Sequence, residues 1–250
     1  MGGAELRTPA FVVDEGLLKR NLELLADVAR RAGCKILLAQ KAFSMYRCYP
    51  LIRQYLAGST ASGLYEARLG REEFGGEVHV FKPAYTEAEF EALLEVADHF
   101  VFNSPRQVEK YAARARAAGK QVGLRVNPEH STQEGHAIYD PCAPGSRLGT
   151  TLANFDPAQL PLLDGLHMHT LCEQDSDDLE STVQALEAKF GTYLHGLKWL
   201  NLGGGHHITR PGYDVERLVK LVRRLREIYG VEVYLEPGEA VVLNAGFLFS

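Results

Sequence analysis

The sequence contains no CxxC pair; its four cysteines, Cys34, Cys48, Cys142 and Cys172, are scattered along the chain. That spacing offers no structural zinc site and fits a reducing compartment better than a disulfide framework. No apolar run is long enough to span a bilayer, and the start, MGGAELRTPAF, lacks the hydrophobic stretch of a signal peptide. Basic charge is not in excess either. The formal net charge of −5 gives no electrostatic reason to expect nucleic acid or an anionic membrane as partner. Internal repeats, low-complexity tracts and linkers are also missing. What is there is 250 residues at 46% hydrophobic and 24% charged, enough for one large domain or two small ones without help from disulfides. The expectation is a cytoplasmic protein.

Short apolar runs alternate with amphipathic segments almost to the end. Asp14 caps a predicted helix whose apolar positions Leu17, Leu18, Leu22, Leu25 and Val28 recur at helical spacing, and Gly33 stops it. Strand-like runs follow at 35–40 (KILLAQ), 59–62, 78–81, 99–103, 121–126, 165–169, 198–202 and 231–236. Helices are predicted over 50–57, 64–71, 87–97, 178–193 and 214–229. A further one begins at Ser104-Pro105, an N-cap followed by a first-turn proline, and ends at Gly119. Strands apolar on both faces that alternate with helices imply a parallel sheet, and eight such units favour a closed (β/α)8 barrel over an open doubly wound sheet.

Two pieces lie outside the eight units. Residues 9–13 read as a strand, and 240–249 (AVVLNAGFLF) read as an apolar strand-like tail. An apolar strand at a terminus is an exposed edge unless it pairs, so either these segments pair with each other or a second domain is absent. The expected organisation is a leading strand and helix over 1–33, a cofactor-binding barrel over 34–239, and the start of a truncated β-domain over 240–250.

In a barrel the active site lies at the carboxyl ends of the strands. The residues closing the runs are Lys41, Ser62, Lys82, Asn103, Arg125, His169, Gly203-Gly204-Gly205 and Glu236-Pro237-Gly238-Glu239. A lysine at the barrel mouth is partly desolvated, which makes Lys41 a candidate Schiff-base amine; the alternative is a lysine that snorkels to the surface. Three glycines in LNLGGGH let the backbone approach an anion and offer it N–H groups, at the usual phosphate site of this fold. The alternative there is a tight turn. Gly238 can add an amide to the same site. Glu236 can hold a ring nitrogen protonated beneath a phosphorylated heteroaromatic cofactor, or can serve in an ordinary salt bridge. His167 and His169 share one strand face, which is also a metal-ligand arrangement, with His206-His207 nearby. Carboxylates suitably placed for a metal hydrolase are few, and no metal is expected.

Lys41, His169, the glycine triplet and EPG, in that order, resemble the fold-type III pyridoxal-phosphate decarboxylases, which share the alanine racemase barrel. Within that group the sequence is most similar to the carboxynorspermidine (carboxyspermidine) decarboxylases. The phrases LLAQKAFS (38–44), TASGLYEARLG (60–70), FNSPRQVEKY (102–111), LRVNPEHS (124–131), PGSRLG (144–149), GLHMHTLCEQ (165–174), LNLGGGHHIT (201–209) and EPGEAV (236–241) carry the likeness across nearly the whole chain. The resemblance implies pyridoxal 5'-phosphate as cofactor and Lys41 as the lysine that bonds it. It implies His169 stacked on the ring, Arg125 supporting the ring and lysine region, and Glu236 at the pyridine nitrogen. Gly203, Gly204, Gly205 and Gly238 would bind the phosphate. Glu239 stands where several relatives have arginine, and its negative charge suits a polycationic substrate; Cys172 and Glu173 would line the site. The implied activity is decarboxylation of carboxynorspermidine or carboxyspermidine to norspermidine or spermidine in polyamine biosynthesis. The implied assembly is a homodimer, whose further β-domain this sequence lacks.

The rival readings are a non-catalytic pyridoxal-phosphate barrel and another decarboxylase of the group, acting on diaminopimelate, ornithine or arginine. A racemase is a weaker rival, because it typically places arginine at the ring nitrogen where Glu236 stands.

Overall fold

The computed structural model describes residues 7–134 and 140–250, so residues 1–6 of the expected leading segment lie outside the described residues. The first elements are β1 (Ala10–Val13) and α1 (Glu15–Ala32). Asp14 caps α1 by accepting from the Leu17 N–H at 2.9 Å. Gly33 ends it in the left-handed region, φ 70°, with its N–H on Ala29 O. Leu18, Leu22, Leu25 and Val28 form the buried face of α1, as their spacing predicts. Each such leucine contributes about 2 kcal/mol by leaving water.

The barrel follows: β2 (Lys35–Ala39), α2 (Tyr49–Ile52), β3 (Gly58–Ala61), α3 (Leu64–Leu69), β4 (Glu77–Phe81), α4 (Glu87–Val96), β5 (His99–Phe102), α5 (Pro105–Ala117) and β6 (Gln121–Arg125). It continues through β7 (Gly165–His167), α6 (Ser176–Leu194), β8 (Trp199–Asn201), α7 (Val215–Tyr229) and β9 (Glu232–Leu235). All neighbours from β2 to β9 pair in parallel, and β9 returns to β2, so the sheet closes in chain order. The eight-strand alternation read from the sequence is therefore a closed α/β barrel. The chain continues into α8 (Glu239–Val242) and β10 (Gly246–Phe249).

Several boundaries differ from the sequence reading. The helix expected over 50–57 is a single turn, α2. The helix expected from 178 starts at Ser176, because Asp175 and Asp178 form a reciprocal cap. Ser104 occupies the N-cap of α5 but its hydroxyl makes no capping bond; Gln107 Oε1 instead reaches back to the Asn103 N–H at 2.7 Å. The tail expected as one strand begins as helix. Asn21 of α1 then takes the carbonyls of Val241 and Leu243 at 3.2 and 2.9 Å, which ends α8 and releases the chain into β10. β10 pairs antiparallel with β1, the first of the two outcomes open at sequence level, and Phe11 and Leu248 on this ribbon remain exposed.

Inside the barrel, Leu37, Val101, Trp199 and Tyr234 form a small apolar cluster separate from the core between strands and helices. Trp199 needs unusual room. A Cβ on Gly123 or Gly165, paired across β6 and β7, would lie 2.2 or 2.1 Å from its indole. Below this cluster, at the strands' amino ends, Lys35, Glu77, His79, His99 and Tyr234 make a polar floor. Above it, the carboxyl ends open into a cavity.

Candidate active site

The cavity, about 320 Å³, brings together residues more than two hundred positions apart. Lys41, Arg125, His169, Cys172, Glu173, Gly204, Gly205, Glu236, Gly238 and Glu239 all line it. Its size falls in the range of small-molecule sites, about 300–1,000 Å³. Of the residues expected from the sequence, Gly203 alone does not face it.

Lys41 sits on the turn that follows β2. This turn is fixed from three sides: Ala39 N donates to Pro237 O, Gln40 N donates to Thr60 O, and Ala42 N closes back on Ala39 O. The buried Gln40 side chain adds two anchors, donating to Glu66 O at 2.9 Å and accepting from Tyr49 OH at 3.1 Å. Holding Gln40 inward turns its neighbour Lys41 toward the cavity. The Lys41 amine makes no hydrogen bond with any described residue. Surrounding protein lowers its pKa; Glu236 opposes the shift and Arg125 reinforces it.

Glu236 closes β9 and is 6% exposed. Its Oε1 accepts from Asn201 Nδ2 at 2.7 Å, and its Oε2 lies 3.7 Å from His167 Nε2. Burial alone would raise its pKa, but the imidazoles of His167 and His169 and the Asn201 amide outweigh it and hold the carboxyl well below the usual range. Glu236 is thus an ionised carboxylate with one oxygen bonded and the other available. Burial lowers the pKa of His167 and, with Lys41 and Arg125 beside it, lowers that of His169 further, so both imidazoles are neutral. Arg125, at the end of β6, donates to His169 O at 3.0 Å and lies 4.7 Å from the centre of the Phe81 ring.

The glycine triplet is required first by packing. A Cβ on Gly203, Gly204 or Gly205 would lie 2.4, 2.5 or 2.1 Å from the carbonyl oxygens of Met168, Glu236 and Leu171. The Gly203 amide is already given to Asn201 Oδ1 at 2.8 Å, which corrects the expectation that all three amides serve an anion. The N–H groups of Gly204, Gly205 and Gly238 bond no described residue. Asn201, wholly buried and bridging the carboxylate to the glycine turn, was missed at sequence level. Its signal was a polar residue closing a strand of three residues just before GGG. His206 was singled out only as a spare imidazole; it is buried, bonds Gly203 O at 2.9 Å, and has its pKa pushed down to about 4 by that burial.

His167, His169 and Glu236 hold ligand-type atoms within 4.8 Å of one another, an arrangement that could also meet a metal ion. Two cations flank it, however, because Lys41 and Arg125 line the same cavity, and they oppose a further dication. The residues instead fit a phosphorylated aromatic aldehyde. The unpartnered lysine amine, the flat neutral His169 ring whose Cε1 would lie 3.3 Å from a Cβ on Gly204, the ionised Glu236 and the free amides suit its separate parts.

No protein-family model matches the chain. Among individual proteins, it is 41% identical over 244 residues to a carboxynorspermidine/carboxyspermidine decarboxylase of Campylobacter jejuni, covering 98% of this chain and 63% of that protein. It is 39% identical over 249 residues to a carboxyaminopropylagmatine decarboxylase of Synechocystis, covering 99% of this chain and 64% of that protein. The structure superposes on carboxynorspermidine decarboxylase from Campylobacter jejuni, solved with norspermidine, with a TM-score of 0.90 at 40% identity over 97% of this chain and 63% of that one. Diaminopimelate decarboxylase from Helicobacter pylori, at 14% identity and a TM-score of 0.79, shares the fold. The chain thus spans somewhat under two thirds of the length of these relatives. By sequence and by fold, it is similar to the fold-type III pyridoxal-phosphate-dependent decarboxylases, and within them to the carboxynorspermidine/carboxyspermidine decarboxylases.

Proposed function

We propose that the protein binds pyridoxal phosphate through Lys41 and decarboxylates a carboxylated polyamine of the carboxynorspermidine or carboxyspermidine type. The observation that carries this reading is the placement of an unpartnered Lys41, open to the cavity, together with an ionised Glu236 and free glycine amides. Gly204, Gly205 and Gly238 would hold the phosphate, His169 would cover one ring face, and Arg125 would support His169 through its carbonyl. Pyridoxal phosphate, when bound, supplies an electron sink for the pair left at the α-carbon as CO2 departs.

The chain's own part is positioning and proton control. Asn201 occupies Glu236 Oε1, which leaves Oε2 to hold a proton on a ring nitrogen placed against it. The lowered pKa of Lys41 raises the neutral share of its amine, which would hold the cofactor's aldehyde carbon, and its Nζ can hold or release a proton in the cavity. The acidic mouth, with Glu173 and Glu239, favours a substrate bearing extra ammonium groups. The four free thiols support a reducing, cytoplasmic setting, and no helix among the described residues is long and apolar enough to cross a membrane. The resemblance supports a homodimer as the working form.

Because the carboxyaminopropylagmatine decarboxylase is nearly as similar, that guanidino-bearing substrate is the second reading. The test is the visible absorption spectrum with added pyridoxal phosphate, beside Lys41→Ala, followed by CO2 release from both carboxylated substrates. A Lys41-dependent band with CO2 from carboxynorspermidine supports the reading. A band without CO2 reduces it to a cofactor-binding barrel, and no band removes it.

A further inference from the structure

The rim of the cavity holds a group that the cofactor does not require. Glu173, His207 and Glu239 place a carboxylate oxygen, a ring nitrogen and a second carboxylate oxygen within 4.8 Å of one another. His207 is 7% exposed, and neither of its ring nitrogens has a hydrogen-bond partner among the described residues. Its Nε2 lies 3.2 Å from Glu239 Oε2. The two carboxylates are exposed and the imidazole beneath them is not, so the imidazole is the fixed member of the three. A buried, unpartnered polar ring is costly unless its neighbours require it.

The backbone around the ring is tied to the opposite loop. His207 N donates to Gln174 O at 3.1 Å, and Gln174 N donates to Gly205 O at 3.0 Å. The Gln174 side chain is held in turn by Thr132, whose carbonyl accepts from Nε2 at 2.7 Å. Glu173, the preceding residue, is held with φ at +55°, a conformation unfavourable for a side chain of its kind. The loop after β7 and the loop after β8 thus form one unit that presents Glu173 and His207 to the same space, where Glu239, at the start of α8, meets them.

We propose that His207 is a positioning residue for substrate selection. Its buried imidazole holds Glu239 opposite Glu173, and the two carboxylates receive the ammonium of the substrate's amine-bearing arm, remote from the carbon that loses CO2. A charge-assisted ammonium–carboxylate contact is directional, so a carboxylate free to swing into water recognises the arm less well than one that is held. This inference rests on the polyamine reading of the cavity. It adds to that reading the residue that makes the rim selective.

Norspermidine is the probe, because its binding can be read by calorimetry without turnover. His207→Ala is expected to weaken norspermidine binding about tenfold, with the Lys41-dependent pyridoxal-phosphate band unchanged. His207→Gln, which keeps a donor near the position of Nε2, is expected to recover most of the loss, and Glu239→Gln to reproduce it. In turnover of carboxynorspermidine, the same loss should fall on KM rather than kcat. Norspermidine binding indifferent to His207→Ala, or no better in His207→Gln than in His207→Ala, would overturn the proposal alone. No norspermidine binding by the unaltered chain, despite a normal cofactor band, would remove the polyamine reading and the proposal with it.

Discussion

The two ends of this barrel carry groups of the same chemistry, with more partners around the carboxylate at one end than at the other. At the carboxyl ends, Glu236 meets His167 and His169; at the amino ends, Glu77 meets His79 and His99. On the floor, Glu77 receives Lys35 at 2.6 Å, Tyr234 OH at 3.0 Å and His79 Nε2 at 3.0 Å, and Lys35 also pairs with Glu232. The two floor imidazoles stack with ring centres 3.8 Å apart. At the mouth, Lys41 bonds no described residue, both ring nitrogens of His167 are unpartnered, and three glycine amides stand free. On the floor the carboxylate is saturated by its neighbours, although Nδ1 of His79 and of His99 is unpartnered, and such a carboxylate plugs the barrel; at the mouth the lysine amine and the glycine amides keep their bonding capacity for a ligand. Residue type does not separate a stabilising cluster from a functional one here, but partner count does.

The largest expected effect is at the mouth. Glu236→Gln keeps the shape and the Asn201 contact but loses the charge that holds a proton on the cofactor ring. Decarboxylation should fall about a hundredfold or more, while the thermal unfolding midpoint stays close to that of the unaltered chain. Next comes the barrel's apolar middle, where Gly165→Ala would drive a methyl to 2.1 Å from Trp199. A loss of about 2–3 kcal/mol by denaturant titration is expected. On the floor, Glu77→Ala leaves the Tyr234 hydroxyl and the His79 imidazole without their acceptor and should cost about 2 kcal/mol. Its effect on cofactor binding should be small. If Glu77→Ala abolished the cofactor band in a folded protein, the division between plug and site would fail.

Much of this division was legible in the sequence. Period and order gave the eight units, because each strand is a dense apolar run bounded by a helix. Strand closure then places Lys41, Arg125, His169, Glu236 and Gly238 at one end without further information. What escaped was everything decided by side-chain partners across strands. Asn201 looks like any strand residue until its amide is seen shared between Glu236 and Gly203. Glu77 and His79 share β4 while His99 opens β5, and they meet only where the two strands pair in the folded sheet. The Gly203 amide was assigned to an anion because spacing cannot show that Asn201 already holds it. The helical turn at 239–242 was read as strand, since its apolar pattern fits both, and the deciding contact is Asn21, more than two hundred residues away.

The smallest effect sharpens the floor itself. Burial, with the neighbouring His79 adding to it, lowers the pKa of His99 to about 3, below the ordinary 6.5. Between those values the unfolded chain takes up a proton that the folded chain refuses, so the stability His99 contributes is present above pH 6.5 and lost as pH falls toward 3. His206, pushed down to about 4, and the two mouth histidines act in the same direction, so the unaltered protein should lose stability steeply with acid. Above about pH 4.5 the carboxylates add little, which isolates the imidazoles. His99→Gln should therefore flatten the slope of unfolding free energy between pH 6 and pH 5 by an amount approaching one proton, about 1.4 kcal/mol per pH unit. Chemical denaturation at a series of pH values reads that slope directly. An unchanged slope would mean that His99 takes up its proton in the folded state, shielded by Glu77 at 4.0 Å. The floor would then be an ion-pair network that tolerates acid rather than a neutral plug.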